Sequence, residues 1–123
     1  MLNYVFVGLG AALGGGLRYL LSNIVYKVLP TLFPFGTLAV NLLGSFILGI
    51  LIFYFDKNNL LGQNLKLFLT IGFCGGFTTF STFSFESIKL FQNSEIYFGL
   101  LNIFLNVILS LLGIYLAYIL SKL

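Results

Sequence analysis

Long apolar runs, interrupted by a few charged and turn-forming residues, set the plan of this chain. Four stand out: Leu2 to Val28, which stops before Pro30; Phe35 to Phe55, which stops at Asp56-Lys57-Asn58-Asn59; Leu65 to Phe91; and Ile96 to Leu120. A helix needs about 20 predominantly apolar residues to cross a bilayer, and each run is long enough. The pattern predicts an all-α membrane protein with four transmembrane helices. The connections are short, so successive helices are expected to be antiparallel neighbours. An even number of spans places both termini on one side. The first run lacks a basic leader and is too long and continuous for a cleaved signal. No repeat of 20–50 residues is evident, so residues 1–123 read as one membrane domain.

Three runs carry polar residues at depth, where they are costly without partners and tend to mark pathways. In the second, Asn41 and Ser45 lie four apart and share a helix face. In the fourth, Asn102, Asn106, Ser110 and Gly113 follow at steps of four, four and three, a polar stripe along one face. Either group could serve as interhelical hydrogen-bond glue or line a polar lumen. The third run reads Gly72-Phe73-Cys74-Gly75-Gly76-Phe77-Thr78-Thr79-Phe80-Ser81-Thr82-Phe83-Ser84-Phe85. Glycine and β-branched residues are poor helix formers, so this helix is expected to break around Gly75-Gly76. Non-helical backbone at that depth is tolerated only where protein or a cavity surrounds it, and freed carbonyls there can coordinate a cation. Beyond the break, Phe80 and Phe83 fall on one face. Thr78, Ser81 and Thr82 cluster roughly opposite, at about 100° per residue.

Small residues add packing faces. Gly8, Ala12 and Gly16 form one ladder in the first run, and Gly10 and Gly14 form a second. Such ladders let helix backbones approach closely in lipid. Packing on more than one face, in a chain too small to enclose a cavity easily, points to an oligomer.

Composition narrows the chemistry. Hydrophobic residues make up 59% and charged residues 7%, against about 25% charge in soluble domains, so a soluble fold is excluded. The net charge of +3 comes from six scattered basic residues, with no basic run for nucleic acid. There is no His, and Cys74 is alone. Asp56, Glu86 and Glu95 all sit near the ends of runs. A general base, a paired-acid constellation and a deep titratable group for proton-coupled export are therefore missing, and an enzyme is not expected. What remains is a neutral lining of Asn, Ser and Thr with phenylalanine edges, and Arg18 toward the end of the first run. Hydroxyl and amide groups can donate to an anion, ring edges carry the positive part of the quadrupole, and a basic mouth raises local anion concentration.

The charge bias across the bilayer is also informative. The side of the termini has Lys57, Lys66 and Lys122; the other has Lys27, Lys89 and Arg18. Three against three gives no positive-inside signal. On charge alone two readings are open: one helix overrides a weak bias, or copies insert both ways and pair as an antiparallel two-fold dimer.

Over nearly its whole length the chain resembles the small Fluc or CrcB fluoride channels. The resemblance rests on Gly14-Gly15-Gly16-Leu17-Arg18-Tyr19, on Gly36-Thr37-Leu38-Ala39-Val40-Asn41-Leu42-Leu43-Gly44-Ser45-Phe46, on Gly72 to Phe83, and on Asn106-Val107-Ile108-Leu109-Ser110 with Gly113. The Gly72 to Phe83 stretch is the most specific. The resemblance implies an antiparallel, dual-topology homodimer in the plasma membrane of a prokaryote, with two pores that passively export fluoride. It implies that Phe80 and Phe83 are aromatic pore elements, that Asn41 and Ser110 are their polar partners, and that Ser81 and Thr82 form a hydroxyl track. Asn106 is a possible further lining residue, and Arg18 belongs to the aqueous vestibule. It also implies a structural Na⁺ between the subunits, held by the backbone carbonyls of Gly75 and Thr78. Two other readings compete: one chain of an obligate heterodimeric channel, or a small membrane subunit that does not conduct.

Overall fold

The chain folds entirely as helices and turns; the structure, a computed structural model, describes all 123 residues. Helix α1 spans Leu2–Val28, α2 spans Phe35–Asp56, α3 covers residues 63–77, α4 spans Ser81–Gln92 and α5 spans Ile96–Leu120. Four helical stretches are long and apolar enough to cross a membrane: α1, α2, α5, and Gln63–Gln92, which contains α3 and α4. The chain is a multi-pass membrane protein.

The helix ends follow from local chemistry. Helix α1 stops at Leu29, because proline at position 30 disfavours helical backbone in the residue before it. Pro34, with φ −80°, starts α2. The last turns of α2, Leu51–Asp56, widen to π-helix, as does Phe68–Cys74 within α3. The sharp reversals after α2 and α4 use left-handed residues, Asn59 with φ 56° and Ser94 with φ 62°. Lys66 pairs with Asp56 at 2.8 Å across the first of these turns. Both side chains are partly exposed, so the pair contributes at most about 1 kcal/mol.

Glycine sets the packing distance between helices. Helix α1 lies against α3 so closely that a methyl group on Gly10 would overlap the Phe68 carbonyl and one on Gly14 the Phe73 carbonyl. From the other side, a methyl on Gly72 would stand 2.6 Å from the Val7 carbonyl, and one on Gly76 2.6 Å from that of Ala11. Of the two small-residue ladders in α1, Gly10 and Gly14 are therefore used inside the chain. Gly8, Gly15 and Gly16 have nothing within 4 Å of an added methyl. Helices α2 and α5 run parallel and interlock: Gly49 meets Ala117 and Ile114, and Gly113 meets Leu42.

The backbone interruption lies slightly beyond the glycine pair. Gly75 and Gly76 are helical, and the chain turns extended at Thr78, with φ −86° and ψ 160°, before α4 begins at Ser81. The close fit of Gly76 on α1 accounts for this shift, since glycine there serves packing rather than backbone freedom. The interruption leaves backbone groups without helical partners, and each unsatisfied group costs several kcal/mol in a bilayer. Asn41 of α2 supplies partners for those of Thr79. Its Oδ1 accepts from Thr79 N at 2.7 Å, and its Nδ2 donates to the Thr79 carbonyl at 2.9 Å. The Thr79 hydroxyl accepts from Thr82 N at 3.1 Å and so satisfies one free N–H in the first turn of α4.

Two outcomes follow for unfolding in detergent, monitored by circular dichroism. Gly14→Ala loses about 1–3 kcal/mol of stability through overpacking, whereas Gly62→Ala, in an open turn, stays within about 0.5 kcal/mol. Asn41→Leu strands both polar groups of Thr79 and loses about 2–6 kcal/mol, at about 1–3 kcal/mol per group. A wild-type unfolding curve for Asn41→Leu would show that the turn does not depend on this residue.

Candidate functional site

The turn at Thr78–Phe80 lies between two cavities. The first, about 280 Å³, is lined by Asn41 and Ser45 of α2, Thr78, Thr79, Phe80 and Phe83 at the turn and in α4, and Asn106, Val107, Ser110 and Leu111 of α5. Polar residues from α2 and α5 thus meet the phenylalanines of α4 in one space. Phe80 and Phe83 stand edge to face, ring centres 4.7 Å apart and planes at 73°. Phe83 is buried at 6% exposure, while Phe80 is 76% exposed and turns outward from the chain.

A ladder of amides forms the back wall. Asn41 Nδ2 donates to Asn106 Oδ1 at 2.8 Å. Asn106 Nδ2 donates to both the carbonyl and Oδ1 of Asn102, each at 2.8 Å. Asn102 Nδ2 donates to Ser87 Oγ at 3.0 Å and to the Phe83 carbonyl at 3.3 Å, and Ser87 Oγ donates to that same carbonyl at 2.7 Å. The orientation of the whole ladder is fixed from one end. The Thr79 N–H can only donate, so Asn41 must present its oxygen there and its nitrogen to Asn106, and each later amide follows in turn. Both readings of these asparagines are thus relevant: Asn41, Asn102 and Asn106 are buried interhelical glue, and two of them also border the cavity.

The second cavity, about 330 Å³, lies on the α1 side. It contains Arg18 with Tyr19, Ser22, Asn23 and Tyr26 of α1, Thr37 of α2, and Thr79, Thr82 and Glu86. The residues singled out from the sequence therefore separate. Asn41, Phe80, Phe83, Asn106 and Ser110 border the first space, Arg18 and Thr82 the second, and Thr79 lines both. Ser81 lines neither; its hydroxyl lies 3.2 Å from that of Thr79.

Glu86 is the residue that sequence reasoning placed least well. It is near the end of its run, but its side chain turns inward. Thr37 Oγ1 donates to Glu86 Oε1 at 2.6 Å and Tyr26 Oη donates to the same oxygen at 3.0 Å, while Oε2 is buried without a hydrogen-bond partner. Glu86 also borders a third cavity of about 230 Å³ with Lys89 and Asn93. A signal was available: Thr79, Thr82 and Glu86 follow at steps of three and four, the spacing of one helix face.

The Gly75 and Thr78 carbonyls accept no hydrogen bond within the chain. The donors that a continuous helix would have aimed at them are turned elsewhere, Thr79 N to Asn41 and Thr82 N to the Thr79 hydroxyl. Free backbone carbonyl oxygens can coordinate a cation, and these two are the kind of ligand expected of a sodium site.

Comparison with known proteins agrees with this architecture. The family described as CrcB-like protein, Camphor Resistance (CrcB), matches residues 5–118. A protein of Azobacteroides pseudotrichonymphae named fluoride-specific ion channel FluC is 42% identical over 99% of this chain and 98% of its own length. One of the same name from Magnetococcus marinus is 45% identical over 96% of each chain, and one from Ruminiclostridium cellulolyticum is 43% identical over 99% of this chain and 94% of the relative. The match covers most of the chain, and the chain belongs to the CrcB family.

Proposed function

We propose that this chain is a passive, selective fluoride channel of a bacterial plasma membrane, and not an enzyme. The observation that carries the reading is the match, over nearly the full length of both chains, to relatives named fluoride-specific ion channels. The site is consistent with that activity. The first cavity is walled by neutral hydroxyl, amide and aromatic groups, so it can exchange hydration for hydrogen bonds without a fixed cation that would hold the ion too tightly to leave. Arg18 in the second cavity raises the local concentration of anions at the entrance. Phe80 and Phe83 offer ring edges to the passing ion, with Asn41 and Ser110 as the polar wall, Asn106 beside them, and Ser81 and Thr82 as a hydroxyl track.

The working unit is an antiparallel homodimer with two pores. Gly8, Ala12 and Gly16 form an open small-residue face on α1, Phe80 projects from the chain, and Ser81 and Thr82 are exposed within a span. Hydroxyls in such a position are costly against lipid, and a second copy would cover them. Gly75 is exposed as well. There the carbonyls of Gly75 and Thr78 would hold a structural Na⁺ between the two copies, its charge offsetting the repulsion between carbonyl oxygens brought face to face.

Liposomes carrying the purified chain alone release fluoride rapidly, without chloride and without a proton or sodium gradient. Folded protein that releases none would overturn the single-chain channel. Phe80→Ile and Phe83→Ile each lower the efflux rate by at least about tenfold, a barrier increase of about 1.4 kcal/mol, with the dimer still intact by size-exclusion chromatography. Prolonged replacement of Na⁺ by a bulky organic cation abolishes efflux or splits the dimer, and Na⁺ restores it. Full activity after complete removal would exclude the structural ion.

A further inference from the structure

The amide ladder leaves the cavity with fewer hydrogen-bond donors than its lining suggests. Asn41 has two amide protons, one on the Thr79 carbonyl and one on Asn106. Those of Asn106 are both held by Asn102. Neither asparagine has a proton left for an ion. Ser45 and Ser110 differ: both border the cavity, and neither hydroxyl makes a hydrogen bond within the chain, not even to its own helix.

The register of α2 and α5 places these two serines opposite each other. Asn41 is bonded to Asn106, and Gly49 packs on Ile114. Both steps are eight residues, so Ser45 and Ser110 occupy the intermediate turn of two parallel helices, one turn beyond the asparagine pair. Two unengaged hydroxyls facing one cavity, beside a ring pair, form a donor set that suits a small, strongly accepting anion.

We infer that the Ser45 hydroxyl is an anion-binding group of the pore that acts with Ser110, and that Asn41 and Asn106 position the wall rather than donate to the ion. This rests on the channel reading above.

The test is fluoride efflux from liposomes with wild type, Ser45→Ala, Ser45→Thr and Ser45→Cys measured side by side. Ser45→Ala slows efflux about ten- to a hundredfold, the range expected for losing one hydrogen bond to a charged group. It also raises the fluoride concentration that half-saturates the initial rate, a change that a merely structural role would not produce. Ser45→Thr keeps most of the flux. Ser121→Ala, outside the cavity at the end of α5, leaves it unchanged. Should the alanine variant fail to fold, Ser45→Cys keeps the side chain's size with a weak donor and is expected to slow efflux likewise. Wild-type rates and half-saturation in the alanine or cysteine variant overturn the serine's role and leave the channel standing. A wild-type chain that releases no fluoride overturns both.

Discussion

The two-point hydrogen bond between Asn41 and the backbone of Thr79 is the constraint on which the rest of the site depends. A helix interrupted inside a span exposes an N–H and a C=O with no water to satisfy them, at several kcal/mol each. A side-chain amide is well suited to the repair because it offers a donor and an acceptor side by side in one plane. With that amide in place the backbone can turn at Thr78, and the second half of the span sets off on a new course. Phe80 then faces away from the chain and Phe83 toward its interior. The repair has a further consequence. By fixing which way Asn41 points, the Thr79 N–H also sets the direction of Asn106 and Asn102, and so aims the Asn102 amide back at the Phe83 carbonyl of α4.

The same turn divides polar space. Thr79 borders both cavities. On one side the groups are neutral, with ring edges and serines; on the other stand Arg18 and Glu86 among tyrosine, serine and threonine hydroxyls. Tyr26 and Thr37 both donate to one Glu86 oxygen, so the hydrogen bonds that hold this side chain inward come from neutral groups of two other helices. A polar route and an aromatic wall thus share one short piece of backbone, which is economical in a chain of 123 residues.

Close packing is what allows so small a chain to hold such a turn. Inside a bilayer the hydrophobic effect does not drive helices together, and contact rests on van der Waals fit and hydrogen bonds. Gly10 and Gly14 on α1, set against Gly72 and Gly76 on α3, bring two backbones into direct contact. That anchored half of the third span supplies the fixed base from which the turn departs.

Much of this was legible in the residues themselves. Four long apolar runs with few charges determine four helices, because lipid leaves a backbone few other ways to satisfy itself. The glycine ladders announced close packing, and the glycines and threonines of the third run announced an interruption. Which ladder would be used, and where the interruption would fall, depended on the partner surface; the fit of Gly76 against Ala11 moved the turn to Thr78. The inward course of Glu86 was marked only by its spacing from Thr82 and Thr79, for a related reason. A carboxylate near the end of an apolar run reads as exposed until Tyr26 and Thr37, from two other helices, are seen to donate to it. The asparagines were recognisable as polar groups at depth, but donor availability is a property of the whole hydrogen-bond network. The sequence by itself determined the elements and the polar residues they carry, since periodicity and hydropathy are local. Only the tertiary structure decided which polar atoms are engaged and which remain free, because that depends on contacts between residues as far apart as Asn41 and Asn106.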